Sequence, residues 1–235
     1  MLSHESLIEF YRPLLAAGDF CFDVGANRGD YSRAMLSLGA RVLAVEPQPD
    51  LCALMSEAFR AELEARQIRI LMGAVGASNG KATLFPATDL TKSMSTLSPL
   101  FLEISERNGD RWNRDEAYEV AVWSLDHLIA AQGMPYYVKI DVEGLDSAVL
   151  AGLSCPIALV SFEYNTQPGL IEVAGSCVDQ LAALGPYVFN YVPEGQNTFA
   201  AGDWMAPLQM RDVLFRELGQ SMWFGDIYAR VPDAG

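Results

Sequence analysis

The chain has 235 residues, long for one domain and short for two, so it reads as one α/β domain over 1–235 with an inserted loop region. Its hydrophobic share of 51% is ample for a buried core, and a net charge of -14 argues against nucleic acid or an anionic membrane surface as the main partner. Four cysteines in no metal-ligand spacing point to a reduced, cytoplasmic setting, and no apolar run approaches the ~20 residues of a membrane helix.

A leader segment over 1–17 contains an amphipathic helix, Leu7 to Ala16. It does not have the basic-then-apolar order of a signal peptide. A strand, Phe20 to Val24, runs into a glycine turn, Gly25 to Gly29, and a helix from Tyr31 to Leu38 that Gly39 stops. Such a turn lets a ligand lie against bare backbone, because glycine has no Cβ. Arg41 to Glu46 is a second buried strand, broken by Pro47 and Pro49; Asp50 is placed to cap a long helix to Arg66. Ile68 to Val75 reads as the third strand, and Asn79-Gly80 as a hairpin-type turn into Lys81 to Phe85.

Residues 86–115 are polar and irregular and read as an insertion over the sheet's edge or mouth, with one helix near Leu100 to Glu106. Then come a strand, Tyr118 to Trp123, a short helix after Ser124, a strand over Tyr136 to Asp141, a helix over Leu145 to Leu153 and a strand over Ile157 to Phe162. A helix over Val178 to Leu184 and closing strands at Tyr187 to Tyr191 and Asp226 to Val231 complete the reading. The alternation predicts a parallel sheet with helices on both faces.

Asp23, Glu46, Asp141 and Glu163 fall at strand ends, where ligands bind in open α/β sheets. Glu46 stands about twenty residues past the glycine turn, where an acid accepts both hydroxyls of a ribose. The turn is D-x-G-x-x-x-G, not the G-x-G-x-x-G of a dinucleotide site, and an acid at Asp23 would repel a pyrophosphate. A cationic ligand with a ribose diol and no phosphate fits, which describes S-adenosylmethionine. A plain strand-turn-helix glycine with a surface acid is the bland alternative.

The blocks FDVGANRGDYS, AVEPQP, SLD at 124–126, VKIDVEGLDSAVLAGL and SFEYN, in that order, resemble the FkbM-type methyltransferases over roughly Gly18 to Asn165. The resemblance implies a Rossmann-like class I fold: a seven-stranded, mostly parallel sheet with helices on both faces and a closing antiparallel strand. It also implies S-adenosylmethionine as cofactor and methyl transfer to a hydroxyl of a sugar or secondary metabolite. The positions it assigns to the cofactor are Asp23, Gly25, Asn27, Gly29 and Glu46, with Ala74-Val75 beside the adenine; Ala26 lies within the turn, and Asp141 at the end of the fourth core strand.

Asp141 and Glu143 lie two apart after a strand; on extended backbone both would face one way, and two close carboxylates push each other's proton affinities apart, which suits a base. The alternative for Glu143 is a helix-dipole role at the next helix. His127 is a third candidate for catalysis, against an ordinary helix histidine. Asp141, Glu163 and Asn165 form an all-oxygen set suited to magnesium or a similar ion, or else a hydrogen-bonded loop junction. Lys139, inside an apolar strand, needs an acidic partner. A nicotinamide oxidoreductase and a non-catalytic S-adenosylmethionine-binding protein are the rival functions.

Overall fold

The computed structural model describes residues 3–87, 95–109, 112, 114–220 and 224–232. In chain order the elements are α1 (His4–Tyr11), β1 (Phe20–Val24), α2 (Asp30–Ser37), β2 (Arg41–Glu46), α3 (Pro49–Ala58), α4 (Arg60–Glu64), β3 (Ile68–Met72), β4 (Ala74–Val75) and β5 (Gly80–Leu84). They continue with α5 (Pro99–Arg107), β6 (Tyr118–Trp123), α6 (Leu125–Gln132), β7 (Tyr137–Ile140), α7 (Asp146–Leu150), β8 (Leu159–Asn165), α8 (Leu170–Leu184), β9 (Val188–Pro193), α9 (Pro207–Asp212) and β10 (Phe224–Arg230).

Seven strands form one sheet in the order β3-β2-β1-β7-β8-β10-β9. Every pairing from β3 to β8 is parallel, and β10 runs antiparallel to both β8 and β9. Strands buried on both faces explain the near-continuous apolar runs in the sequence. Phe22, Val24, Leu43 and Val45 point to one face, against Val149, Leu150, Cys177 and Val178 of α7 and α8. Cys21, Val42 and Ala44 point to the other, against Leu7, Phe10, Met35 and Met55 of α1, α2 and α3. Cys21 is thus a core residue, and all four cysteines are free thiols.

The expected third strand is two. At Gly73 the chain takes φ 158, and a Cβ there would stand 2.2 Å from the Trp123 ring. The break sends Ala74 and Val75 into a separate three-stranded sheet, β4-β6-β5, in which β4 is parallel and β5 antiparallel to β6. Asn79-Gly80 therefore does not close a hairpin between neighbours, because β6 lies between the two strands that the turn joins. The Asn79 side chain instead accepts the Ser124 N–H at 2.9 Å, at the start of α6. The long helix expected after Asp50 breaks at Phe59 into α3 and α4, and its N-cap is Gln48.

Residues 95–98 of the insertion fold back over the sheet mouth. Phe85 and Thr96 form an antiparallel bridge, and Ser98 caps α5 by accepting the Phe101 N–H. Residues 88–94 of the insertion lie outside the described residues.

Candidate active site

A cleft opens at the carboxyl ends of β1, β2 and β7, where the strand order reverses. Gly25 and Asn27 line it from the turn, Glu46 and Gln48 from the end of β2, Ala74 and Val75 from β4, and Asp141 and Glu143 from the segment after β7. Ser95 and Leu97 close it from the insertion.

The turn is built by three left-handed residues, Gly25 (φ 81), Asn27 (φ 51) and Gly29 (φ 82). The two glycines are needed for chain packing more than for a ligand. A Cβ on Gly25 would stand 1.8 Å from the Asp141 carbonyl oxygen, and one on Gly29 would stand 2.5 Å from the Phe59 ring. Their absence lets β1 and the segment after β7 converge, with Asp141 N donating to Val24 O at 3.0 Å. Gly25 lines the cleft as well, so its bare backbone faces the space a ligand would take. Arg28 is exposed beside the turn.

Glu46 is 3% exposed and held on two backbone amides: Asn27 N donates to Oε2 and Gln48 N to Oε1, each at 2.9 Å. Burial raises its pKa, and these two bonds, together with one from the Gln48 side chain, pull it back towards the charged form.

Asp23 does not line the cleft. It is fully buried beneath the turn, where it accepts a 2.6 Å bond from Ser32 Oγ of α2, and its Oδ1 has no partner. Burial raises its pKa, against the opposing pull of Lys139 and Ser32. Ala26 and Gly29 are likewise buried outside the cleft's lining and act as packing within the turn.

Lys139 is the buried cation at the sheet's centre, 1% exposed. Its Nζ lies 2.7 Å from Asp141 Oδ2 and 4.0 Å from the centre of the Tyr31 ring. Burial alone would lower its pKa, but Asp141, Tyr31, Asp23 and Asp226 outweigh that and hold it well above the usual lysine range. It stays charged and holds the Asp141 carboxylate in place.

Glu143 takes φ 54, so the backbone is not extended there and the two-residue spacing does not by itself align its side chain with Asp141. Both residues line the cleft all the same. Glu143 does not cap α7, whose N-cap is Leu145. Burial, then the charges of Asp141 and Asp146, raise its pKa well above the usual glutamate range. Thr96 Oγ1 donates to the Glu143 carbonyl at 3.0 Å, and Ser95 Oγ donates to Gln48 Oε1 at 2.9 Å, so the insertion is latched to both walls.

His127 is exposed on α6, its own amide spent on Ser124 Oγ, and it does not line the cleft; a catalytic histidine is corrected on that ground. The all-oxygen metal set is not assembled in one cavity either. Asp141 faces the cleft and is paired with Lys139, whereas Glu163 and Asn165 line a second cavity and Asn165 Oδ1 accepts the Gln167 N–H at 3.0 Å. Among the described residues, no three His, Cys, Asp or Glu side chains form a group that could hold a metal ion.

Sequence reasoning missed the roles of Gln48, Ser95, Thr96 and Asp146. The polar run around residue 95 was a signal for Ser95 and Thr96, and Gln48 stands two residues past Glu46; Asp146 looked like an ordinary acid in a helix's first turn.

A sheet in this order with its antiparallel β10, and with a cleft at the ends of its first strands, defines a class I methyltransferase fold, of the kind that uses S-adenosylmethionine. The sequence signature of the methyltransferase FkbM domain matches residues 23–219, and the chain belongs to that family. That sets aside the nicotinamide oxidoreductase. In structure the chain is similar to the methyltransferase FkbM from Methylobacillus flagellatus KT, with 14% identity and a TM-score of 0.58 over 95% of this chain and 47% of that one. The chain thus spans about half the length of that relative. It is also similar to a precorrin-6y C5,15-methyltransferase from Geobacter metallireducens GS-15 (11% identity, TM-score 0.48, 97% and 87% covered). A third match is a SAM-dependent O-methyltransferase from Thermotoga maritima (8% identity, TM-score 0.46, 98% and 65% covered). No match to the chain was found among curated proteins. Among the described residues, no helix is long and apolar enough to cross a membrane.

Proposed function

We propose that the protein methylates a hydroxyl oxygen of a small molecule, a sugar or secondary metabolite, in the cytoplasm, as one domain over 1–235. The observation that carries the cofactor half of this reading is Glu46. A buried carboxylate fixed on two backbone amides at the mouth of the cleft is suited to a ribose diol. The free thiols support the cytoplasmic setting.

S-adenosylmethionine, when bound, supplies an electrophilic methyl group. Glu46 would hold its ribose, Gly25 and Asn27 its flank, and Ala74-Val75 the adenine. Asp141, oriented by Lys139, is the carboxylate on the cleft suited to the cofactor's cationic part. Glu143, whose proton affinity is raised, accepts the hydroxyl proton as the oxygen–carbon bond forms and the carbon–sulfur bond breaks. Alignment of oxygen, methyl and sulfur can contribute ~7–11 kcal/mol to rate, so the latched walls matter as much as the base.

The test is incubation with methyl-labelled S-adenosylmethionine and a panel of hydroxylated sugars and metabolites. Label should appear as an ether stable to mild acid and base. Glu143→Gln should cut turnover ~10²-fold or more with cofactor affinity within about threefold. Label in an amine, or full activity in that variant, overturns the reading.

A further inference from the structure

A second cavity, with room for about one water-sized group, lies on the far side of the segment after β7. Glu143 and Leu145 line the cofactor cleft, while Gly144 and Asp146 line this cavity, so one strip of chain is the wall of both. Phe101, Leu170 and Val173 form its apolar side, and Asp146, Glu163 and Asn165 its polar side.

Asp146 is 2% exposed, and its Oδ1 accepts no hydrogen bond. A buried carboxylate oxygen without a partner costs free energy, and such groups call for an explanation. The surroundings do not supply a counter-charge. Asp141, Glu143 and Glu163 are the acids within electrostatic reach, and the buried cation in reach, Lys139, is already paired with Asp141. The cavity is therefore an electronegative, apolar-walled space with an acceptor oxygen waiting in its wall.

We propose that this cavity is a subsite for a primary ammonium group of the methyl acceptor, with Asp146 as its principal counter-charge. The inference rests on the methyltransferase reading for the word acceptor, and on the cavity alone for the ammonium. An ammonium supplies up to three donors and a positive charge to a site rich in acceptor oxygens, and its carbon chain suits Phe101, Leu170 and Val173. The Phe101 ring adds an aromatic face of the kind that attracts cations. The acceptor class is then an amine-bearing alcohol, such as an amino sugar or amino alcohol.

Burial and Asp141 push Asp146 up to about 7, opposed by the backbone N–H groups of Asp146 and Glu163 and by Lys139. The other titratable groups facing it are Glu143, Glu163 and, from α8, Cys177, all of them raised. Ammonium binding therefore strengthens as pH rises through about 7 and Asp146 ionises.

The probe is n-propylammonium chloride, titrated into the uniformly ¹⁵N-labelled full chain and followed at the amides of Gly144, Leu170 and Val173. Sodium chloride at matched ionic strength, 1-propanol and magnesium chloride serve as controls. Propylammonium alone should shift these amides saturably, about tenfold more tightly at pH 8 than at pH 6, since the probe stays charged across that range. Asp146→Asn should weaken it at least tenfold, and Glu163→Gln by a smaller factor. Shifts equal to those from sodium, tighter binding of magnesium, or an unchanged affinity in folded Asp146→Asn would overturn the proposal. If Asp146→Asn does not fold, a flat pH profile in the wild type overturns it equally.

S-adenosylhomocysteine is titrated into the same samples. Its binding without that of propylammonium removes the subsite and leaves the cofactor reading. Propylammonium binding without it does the reverse.

Discussion

The two cavities that share the 143–146 segment are built on opposite plans. In the cofactor cleft, Glu46 arrives with both oxygens already seated on backbone amides, and Asp141 is already paired with Lys139. Across the segment, Asp146 keeps an unmatched oxygen among like charges. The first arrangement is organised before any ligand comes, so little has to be reordered on binding. The second holds back an interaction until one does, and the empty protein carries that cost. Stability and function should therefore respond in opposite senses to mutations on the two sides.

The largest effect should come from Gly25→Ala, which attacks the wall common to both. It forces φ 81 on a residue with a Cβ and drives that Cβ into the Asp141 carbonyl. A loss of about 4 kcal/mol or more is expected in urea unfolding. A loss under ~1 kcal/mol would mean the turn and β7 need not approach so closely.

Next is Glu46→Gln. It keeps the shape and removes the charge that would grip a diol, so S-adenosylhomocysteine should bind about 10–100-fold more weakly by calorimetry. Stability should change much less. Unchanged affinity would end the comparison from the cleft's side.

The third effect is the most diagnostic. Because the folded-state pKa of Asp146 is raised, the stability tied to its protonated form is present below about pH 4 and lost as pH rises through about 7. Asp146→Asn has no carboxylate to ionise. It should match the wild type near pH 4 and exceed it in Tm at pH 8. A variant less stable than wild type at pH 8 would show that the charge is matched inside the protein after all.

Much of the architecture was legible because strands buried on both faces leave an unmistakable apolar signature. Phe20–Val24 and Arg41–Glu46 were bounded to the residue by the turn and by Pro47. Glu46 and Asp141 were legible as strand-end acids. What stayed hidden depended on contacts distant in sequence. Nothing local in Ile68 to Val75 says that Trp123 will occupy the space beside Gly73 and split the strand. Nothing around His127 says which face of α6 it takes. The glycine turn was legible, but not that the Asp141 carbonyl would pack against Gly25. Asp146 became visible only when Glu143, Glu163 and the cavity beside it were in place.

The position of β10 has a consequence for how the chain comes together. It sits between β8 and β9, with Ile227 opposite both Phe162 and Tyr191, yet it is made after both. Until Phe224–Arg230 leave the ribosome, β8 and β9 stand a strand's width apart with open edges, and neither can satisfy the other. The parallel half from β3 to β8 can assemble first; the rest must wait for a single late strand to be threaded in. Slow release of residues 224–230, or a substitution that weakens that strand, should therefore appear as aggregation during synthesis before it appears as loss of stability in the finished protein.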